Sequence, residues 1–339
     1  MFIQTLVRRY PKEKFYISGN PRNLKFLNEN NVTFSSKIMY TIQVIRAKIF
    51  KQSIGVVRSI SKEKEAKAII RIGGSIFMEV DGWKRRRTPR KNKNLFIIGA
   101  NYGPAYSNDF FDSIFNEIKM AKDCCFRDST SYKTFSKLGN VRLAPDVLFG
   151  YKYYPIPFKG DNIGISVIDL SCRNKLCAYQ KEYEMLITEL IRLYNLANKK
   201  VILYSFCNVE GDKDAINRII KSLQFEANLE IIEYNGDISY ILNSINTCEC
   251  VFASRFHAMI IGWSMGKRVL PIIYSKKQTN VIQDINYSGY CWDLLSKEKV
   301  TANTLIKGMK EAPFFDCSLL KKNSEKQFFA LDEFVRAHE

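Results

Sequence analysis

Residues 250–274 read CVFASRFHAMIIGWSMGKRVLPIIY. The first four, CVFA, are a short apolar run of the kind a buried strand presents. Ser254 offers an N-cap oxygen for a helix opening at Arg255. Met259, Ile260, Ile261 and Trp263 form the apolar face of that helix, and Gly266 stops it. Residues 268–273 return as the next strand. Strand, helix and strand in this order make a βαβ unit with parallel strands. In open α/β sheets the carboxyl ends of strands face the ligand. The first turn of the following helix adds free N–H groups and a partial positive charge. Arg255 and His257 therefore stand where an anion binds. His257 is the only interior histidine, since the other is His338. A core histidine with a satisfied hydrogen bond is the plainer alternative, but position and neighbours favour a site.

The same rhythm runs outward through the chain. Strands are expected at 14–18, 68–72, 95–99, 124–127, 141–143, 163–168, 200–206 and 229–233. Helical patterns fall near 109–121, 130–138, 178–198, 212–226, 237–247 and 276–285. Alternation of this kind predicts parallel sheets with helices on both faces. The segment 150–162, GYKYYPIPFKGDN, holds two prolines and two glycines and breaks the rhythm. The expected organisation is a first Rossmann-like domain over 1–155, a second over 156–312 and a C-terminal helix over 313–339 that crosses back over the first. Residues 2–9, FIQTLVRR, read as an amphipathic helix with no strand before it. A doubly wound domain opens with a strand, so the first domain is expected to lack its opening strand: either the fold begins unusually or the true start lies upstream of Met1.

The chain has 339 residues, enough for two domains. Its 52 basic and 34 acidic side chains give a formal charge of +18. A Lys-, Ile- and Asn-rich host composition accounts for most of this. An anionic substrate or acidic membrane surface is the second reading. Nucleic acid is the third, and no helix-turn-helix, zinc-finger or RRM pattern supports it. The basic run KRRRTPRKNK at 84–93 reads first as a solvated loop; the functional alternative is a lid or a contact with the membrane surface. No apolar run reaches the ~18 residues of a membrane span, and the N-terminus lacks the order of a secretory signal. The nine cysteines form no paired metal motif and read as buried thiols of a reducing cytoplasm.

Four further strand ends carry candidate site residues. Arg127-Asp128 follows the strand CCF, with Ser129 or Thr130 as the expected cap of the next helix. Asn101-Tyr102-Gly103-Pro104 follows 95–99, and Gly73-Gly74-Ser75 follows 68–72; both are tight loops that bring backbone N–H groups to a substrate. Lys276 and Lys277 sit in the first turn of a helix, against its dipole, where a bound anion would reverse the penalty. Asp212-x-Asp214 resembles a metal-binding D-x-D, but it opens a helix and reads as capping.

These stretches together resemble a known family. RIGGSIF (71–77), IIGANYGP (97–104), CCFRDSTSYKTF (124–135), LAPDVLF (143–149) and SRFHAMIIGWSMGKRVLPIIYS (254–275) are similar, in this order, to motifs of the polysaccharide pyruvyl transferases. The resemblance spans about residues 69–285. It implies a GT-B-like architecture, with an acceptor-side first domain and a donor-side second domain facing a crevice. It also implies transfer of a pyruvyl group from phosphoenolpyruvate to a sugar of a cell-surface glycan or its lipid-linked precursor, such as a capsule or exopolysaccharide, forming a ketal. Family members begin with a strand and an Asn-x-Gly-Asp-like loop, which sharpens the expectation of an upstream start.

Such chemistry needs one general acid and an anion clamp. His257 is the expected acid. Arg127 and Arg255 are the expected clamp, with Lys276, Ser254, Asn101, Gly74 and Ser75 as further contacts. Asp146 is placed to orient an acceptor hydroxyl, or to serve a structural role at a strand end. No metal or cofactor is required, and phosphoenolpyruvate is the donor substrate. The expected location is the cytoplasm, with peripheral contact at the inner membrane face. Two alternatives stand beside this reading: a GT-B-like glycosyltransferase using a nucleotide sugar, and a truncated, non-catalytic paralogue.

Overall fold

The computed structural model describes residues 1–17, 31–34, 65–86, 94–153, 160–171, 173, 176–296 and 298–338, the side chains of 85 and 86 excepted. The chain divides into two units. One comprises 1–151 with 320–339, and the other comprises 152–319.

In the first unit, helix Phe2–Arg9 precedes β1 (Phe15–Ile17), which pairs parallel with β2 (Val32–Phe34). The main sheet runs in chain order through β3 (Ile69–Ile72), β4 (Leu95–Ala100), β5 (Asp123–Phe126) and β6 (Val141–Leu143), all parallel. All six residues of β4 are buried. Alternate side chains of a strand point to opposite faces, and both faces here are covered. Leu95 and Ile97 pack with Phe110, Ile114 and Ile118 of helix Asn108–Met120. Phe96 and Ile98 pack with Leu6 and Tyr10 and, from the C-terminus, Phe328, Leu331 and Phe334.

The C-terminal segment is not one helix over 313–339. Helix Ala302–Glu311 ends before Pro313, whose ring disfavours helical geometry in the residue preceding it. The chain resumes as Ser318–Ser324, a 3-10 turn Glu325–Phe328 and Phe329–Arg336. The turn carries Gln327, wholly buried, inward to the strand ends. Its oxygen accepts from the Gly99 N–H, and its amide donates to the carbonyls of Ala144 and Phe126. Arg9 and Asp332 make two hydrogen bonds of 2.7 Å each, and the Tyr10 hydroxyl donates to the same carboxylate. Burial would push the Asp332 carboxyl up, but Arg9 and Tyr10 hold it below the ordinary carboxylate range. Its contribution to stability is therefore complete above the unfolded pKa of about 3.9 and is lost as pH falls through the lower folded value. Hydrogen exchange should show segment 320–338 loosening in that acid window. The Asp332→Asn variant should be loosened at neutral pH and show no such step.

The second unit holds one parallel sheet of β7 (Asn162–Ser166), β8 (Val201–Ser205), β9 (Leu229–Glu233), β10 (Cys248–Ala253), β11 (Arg268–Ile273) and β12 (Trp292–Asp293), in the order β9-β8-β7-β10-β11-β12. This is the doubly wound order 3-2-1-4-5-6. Ile163, Ile165, Leu203, Phe252 and Ile272 bury one face against helices Gln180–Leu196, Asp212–Ser222 and Ala302–Glu311. Helix Phe256–Ser264 packs on the other face, so closely that a Cβ at Gly262 would lie 2.7 Å from Val269 Cγ2. Cys248 and Cys250 are buried in β10, and burial pushes the Cys248 thiol up to about 11. The strand order reverses between β7 and β10, which lie parallel, and there the carboxyl ends open a ligand position.

Of the basic run 84–93, Lys84 pairs with Asp109 at 2.6 Å in solvent, and residues 87–93 lie outside the described residues. Among the described residues no helix is long and apolar enough to cross a membrane.

Candidate functional site

The last residue of β7, Ser166, and the turn after β10 meet at the point of reversal. The Arg255 N–H donates to Ser166 Oγ at 3.0 Å. Helix Phe256–Ser264 begins here with Arg255 in the cap position and no side-chain capping bond. The expectation that Ser254 caps this helix is corrected. Ser254 is wholly buried, and its Oγ shares a 2.8 Å hydrogen bond with the Tyr183 hydroxyl, which also accepts from the Ile168 N–H. A hydroxyl so deep costs stability unless paired, and Tyr183 outcompetes the helix for it. The Ser254 carbonyl accepts from the side chain of Gln278, itself wholly buried.

His257 is exposed in the first helical turn, with its ring 5.9 Å from that of Phe256. Lys276 is exposed at the start of helix Lys276–Asp284 on the neighbouring strand end. Ser275 makes no capping bond to that helix; its hydroxyl donates to Gln278 Oε1, which also accepts from the Tyr274 N–H.

Arg255 is buried and already compensated. Its Nε donates to Asp212 Oδ2 at 2.9 Å, its Nη2 to Asp212 Oδ1 and its Nη1 to Glu210 Oε2. These bonds occupy three of its five donors. Burial would lower its pKa, but the Asp212 carboxylate raises it further, so the charge is permanent. Asp212 does more than cap. Gly211 holds the cap position, with φ of 85°, while the Asp212 carboxylate accepts from the Phe206 and Cys207 N–H groups besides Arg255. Among the described residues no group of histidines, cysteines and acids could hold a metal ion.

Two residues that the sequence reading passed over complete this cluster. Arg173, in the loop after β7, donates from Nη2 to Glu210 Oε2 at 2.5 Å and from Nε to the Asp169 carbonyl at 3.1 Å. Its guanidinium lies 5.1 Å from the Tyr274 ring centre. The signal available was the triplet Glu210-Gly211-Asp212, two carboxylates around a glycine at the end of a strand.

The first unit repeats the design. Arg127 follows β5, and its N–H donates to the carbonyl of Ala100 at the end of β4. Its guanidinium is buried and donates to Asp146 Oδ2 and Asn101 Oδ1, each at 2.7 Å. Asp146 spends its other oxygen on the Leu148 N–H, which gives it a structural role at the strand end. Asn101 is also buried, and its N–H donates to the Gly74 carbonyl at 2.8 Å. Ser75, next to Gly74, is exposed. The next helix, Ser129–Phe135, is capped by Asp128 and not by Ser129 or Thr130. The carboxylate accepts from both the N–H and the hydroxyl of Ser131, which no serine cap could match.

Gly74 is required by the arginine. A Cβ there would lie 2.2 Å from Arg127 Cζ. Gly74→Ala should swing the guanidinium off Asp146 and Asn101, at a cost of about 2–3 kcal/mol for bonds to charged groups, read as a lowered denaturation midpoint with an unchanged denaturant slope.

The family model for polysaccharide pyruvyl transferase matches residues 3–276, a span that includes the candidate site residues from Gly74 to Lys276. The chain belongs to the polysaccharide pyruvyl transferase family. The family is one of transferases. No curated protein sequence matches the chain. Among solved structures, it is similar to a protein from Listeria monocytogenes described as a UDP-N-acetylglucosamine 2-epimerase, with TM-score 0.53 and 10% identity, over 94% of this chain and 87% of that one. It is also similar to the UDP-GlcNAc 2-epimerase of Neisseria meningitidis, with TM-score 0.50 and 13% identity, over 92% and 95%. At such identities the likeness concerns the fold alone, which for this pyruvyl transferase family member is α/β and GT-B-like.

Proposed function

We propose that the protein transfers a pyruvyl group from phosphoenolpyruvate to a sugar of a lipid-linked glycan precursor, with His257 as the general acid. The observation that carries this reading is an exposed histidine in a first helical turn at the sheet's point of reversal, beside an arginine held by Asp212 and Glu210. Protonation of the methylene carbon by His257 leaves the neighbouring carbon electrophilic. One sugar hydroxyl adds there, and its proton restores the imidazolium. A second hydroxyl closes the ketal as phosphate departs with the second proton.

The positive ends of the two neighbouring helices and the Lys276 ammonium suit the donor's phosphate and carboxylate. Arg255 sets the turn and offers its remaining donors. In the first unit Arg127, Asn101, Gly74 and Asp146 hold one another, so Ser75 is the residue placed to meet an acceptor hydroxyl. The cytoplasm is the proposed location, where phosphoenolpyruvate is made.

The test is phosphate release from phosphoenolpyruvate across a panel of lipid-linked sugars. Release with one of them is the expected result. Failure to bind phosphoenolpyruvate at all would end the reading, and binding of a nucleotide sugar in its place would put a glycosyltransferase there.

A further inference from the structure

One carboxylate oxygen at the point of reversal is shared by two arginines. Glu210 Oε2 accepts from Arg173 Nη2 and from Arg255 Nη1. Two guanidinium groups that share a carboxylate oxygen are spaced to share an oxygen of a phosphate or carboxylate ligand in the same way. The two carboxylates that meet Arg255 differ in how firmly they are held. Asp212 is wholly buried and is pinned by the Phe206 and Cys207 N–H groups. The Glu210 side chain is half exposed, on the short 3-10 turn Asn208–Glu210. Its neighbour Val209 is 99% exposed, so the turn has little packing to hold it. Gly211 then reverses the backbone at φ of 85°, where a Cβ would lie 2.5 Å from Asp169 Oδ2. The turn is thus fixed at its Asp212 end and at Asn208, which bonds Ser205 and Glu233, while the Glu210 side chain is held by the two arginines.

We propose that Glu210 is an internal stand-in for the substrate's anion: in the empty protein it occupies the Arg173–Arg255 pair, and the anionic group of the ligand displaces it. This rests on the reading of the unit as the donor side and adds Arg173 and Glu210 to it. The consequence is a built-in threshold. The ligand's apparent affinity is reduced by the fraction of molecules in which Glu210 has left the pair, and an anion that engages both guanidinium groups overcomes the threshold best. Neutral ligands gain nothing from it.

The experiment compares the full chain with Glu210→Gln and with Glu210→Gln/Arg173→Gln, titrating inorganic phosphate and, separately, phosphoenolpyruvate by calorimetry. Glutamine keeps the size of the side chain but not its charge. Glu210→Gln should bind phosphate about tenfold more tightly than wild type, as expected when a competitor occupies most molecules. The double variant should lose that gain. Melting separates displacement from a merely structural role. Glu210→Gln leaves Arg173 and Arg255 less compensated, so it should melt lower than wild type without phosphate and show a larger upward shift when phosphate is added. Equal or weaker phosphate binding in Glu210→Gln, or a lowered midpoint that phosphate does not restore, overturns the inference. Tighter phosphate binding in a protein that never binds phosphoenolpyruvate would keep the inference and sink the donor assignment. Turnover of phosphoenolpyruvate, with its affinity unmoved by Glu210→Gln, would do the reverse.

Discussion

Replacing His257 with glutamine should lower pyruvyl transfer about 10²–10⁴-fold, the usual weight of a positioned general acid, while donor affinity changes much less. The reason lies in where the side chain sits. His257 is exposed in a turn whose backbone is fixed on one side by Arg255 and on the other by a helix buried almost throughout. Glutamine at that position loses no core packing and can still donate a hydrogen bond to a phosphate oxygen. It cannot deliver a proton to carbon. Binding and chemistry therefore separate: kcat falls and KM stays close to wild type. Arginine cannot substitute for the acid either, since it does not lose its proton in proteins. Near-normal turnover in a folded His257→Gln protein would leave the histidine a binding or structural residue and move the acid elsewhere.

What the sequence revealed and what it hid follow from the range of the forces involved. Strands β3 to β11 were legible as short apolar runs, most plainly in the strands buried along their length such as β4 and β8, as in LFIIG and CVFA. β2 and β12 were not: Val32–Phe34 and Trp292–Asp293 are too short to show a pattern. The placement of His257 was legible because it depends on a local order of strand, turn and helix. The partners of the arginines were not. Arg255 meets Asp212 from 43 positions away, and Arg127 meets Asp146 from 19. No periodicity announces such pairs, so both arginines read as open clamps, whereas the fold has compensated each with a carboxylate. Ser254 misled for a related reason. A serine before a helix is a cap by local rule, but a buried tyrosine 71 residues upstream claimed its hydroxyl.

The Asp212–Arg255 pair gives the largest expected change in stability. Asp212→Ala removes a wholly buried carboxylate and leaves the Arg255 guanidinium, itself only 10% exposed, with Glu210 alone. Removing one partner of a buried pair costs about 3–5 kcal/mol, because the charge left behind is unpaired and away from water. The Phe206 and Cys207 N–H groups lose their acceptor as well, so the upper end of that range is expected, as a lowered midpoint in urea. The double replacement Asp212→Leu with Arg255→Met distinguishes a stabilising pair from a positioning one. If the pair is held for position, an apolar substitute of similar volume should recover most of the lost stability, since desolvating two ions offsets much of their attraction. Pyruvyl transfer should not recover with it. Without Arg255 the first turn loses the anchor that aims His257, and the Arg173–Glu210 bridge loses its second guanidinium. A double variant that regains both stability and turnover would show that the ion pair serves the fold alone, and would take Arg255 out of the site.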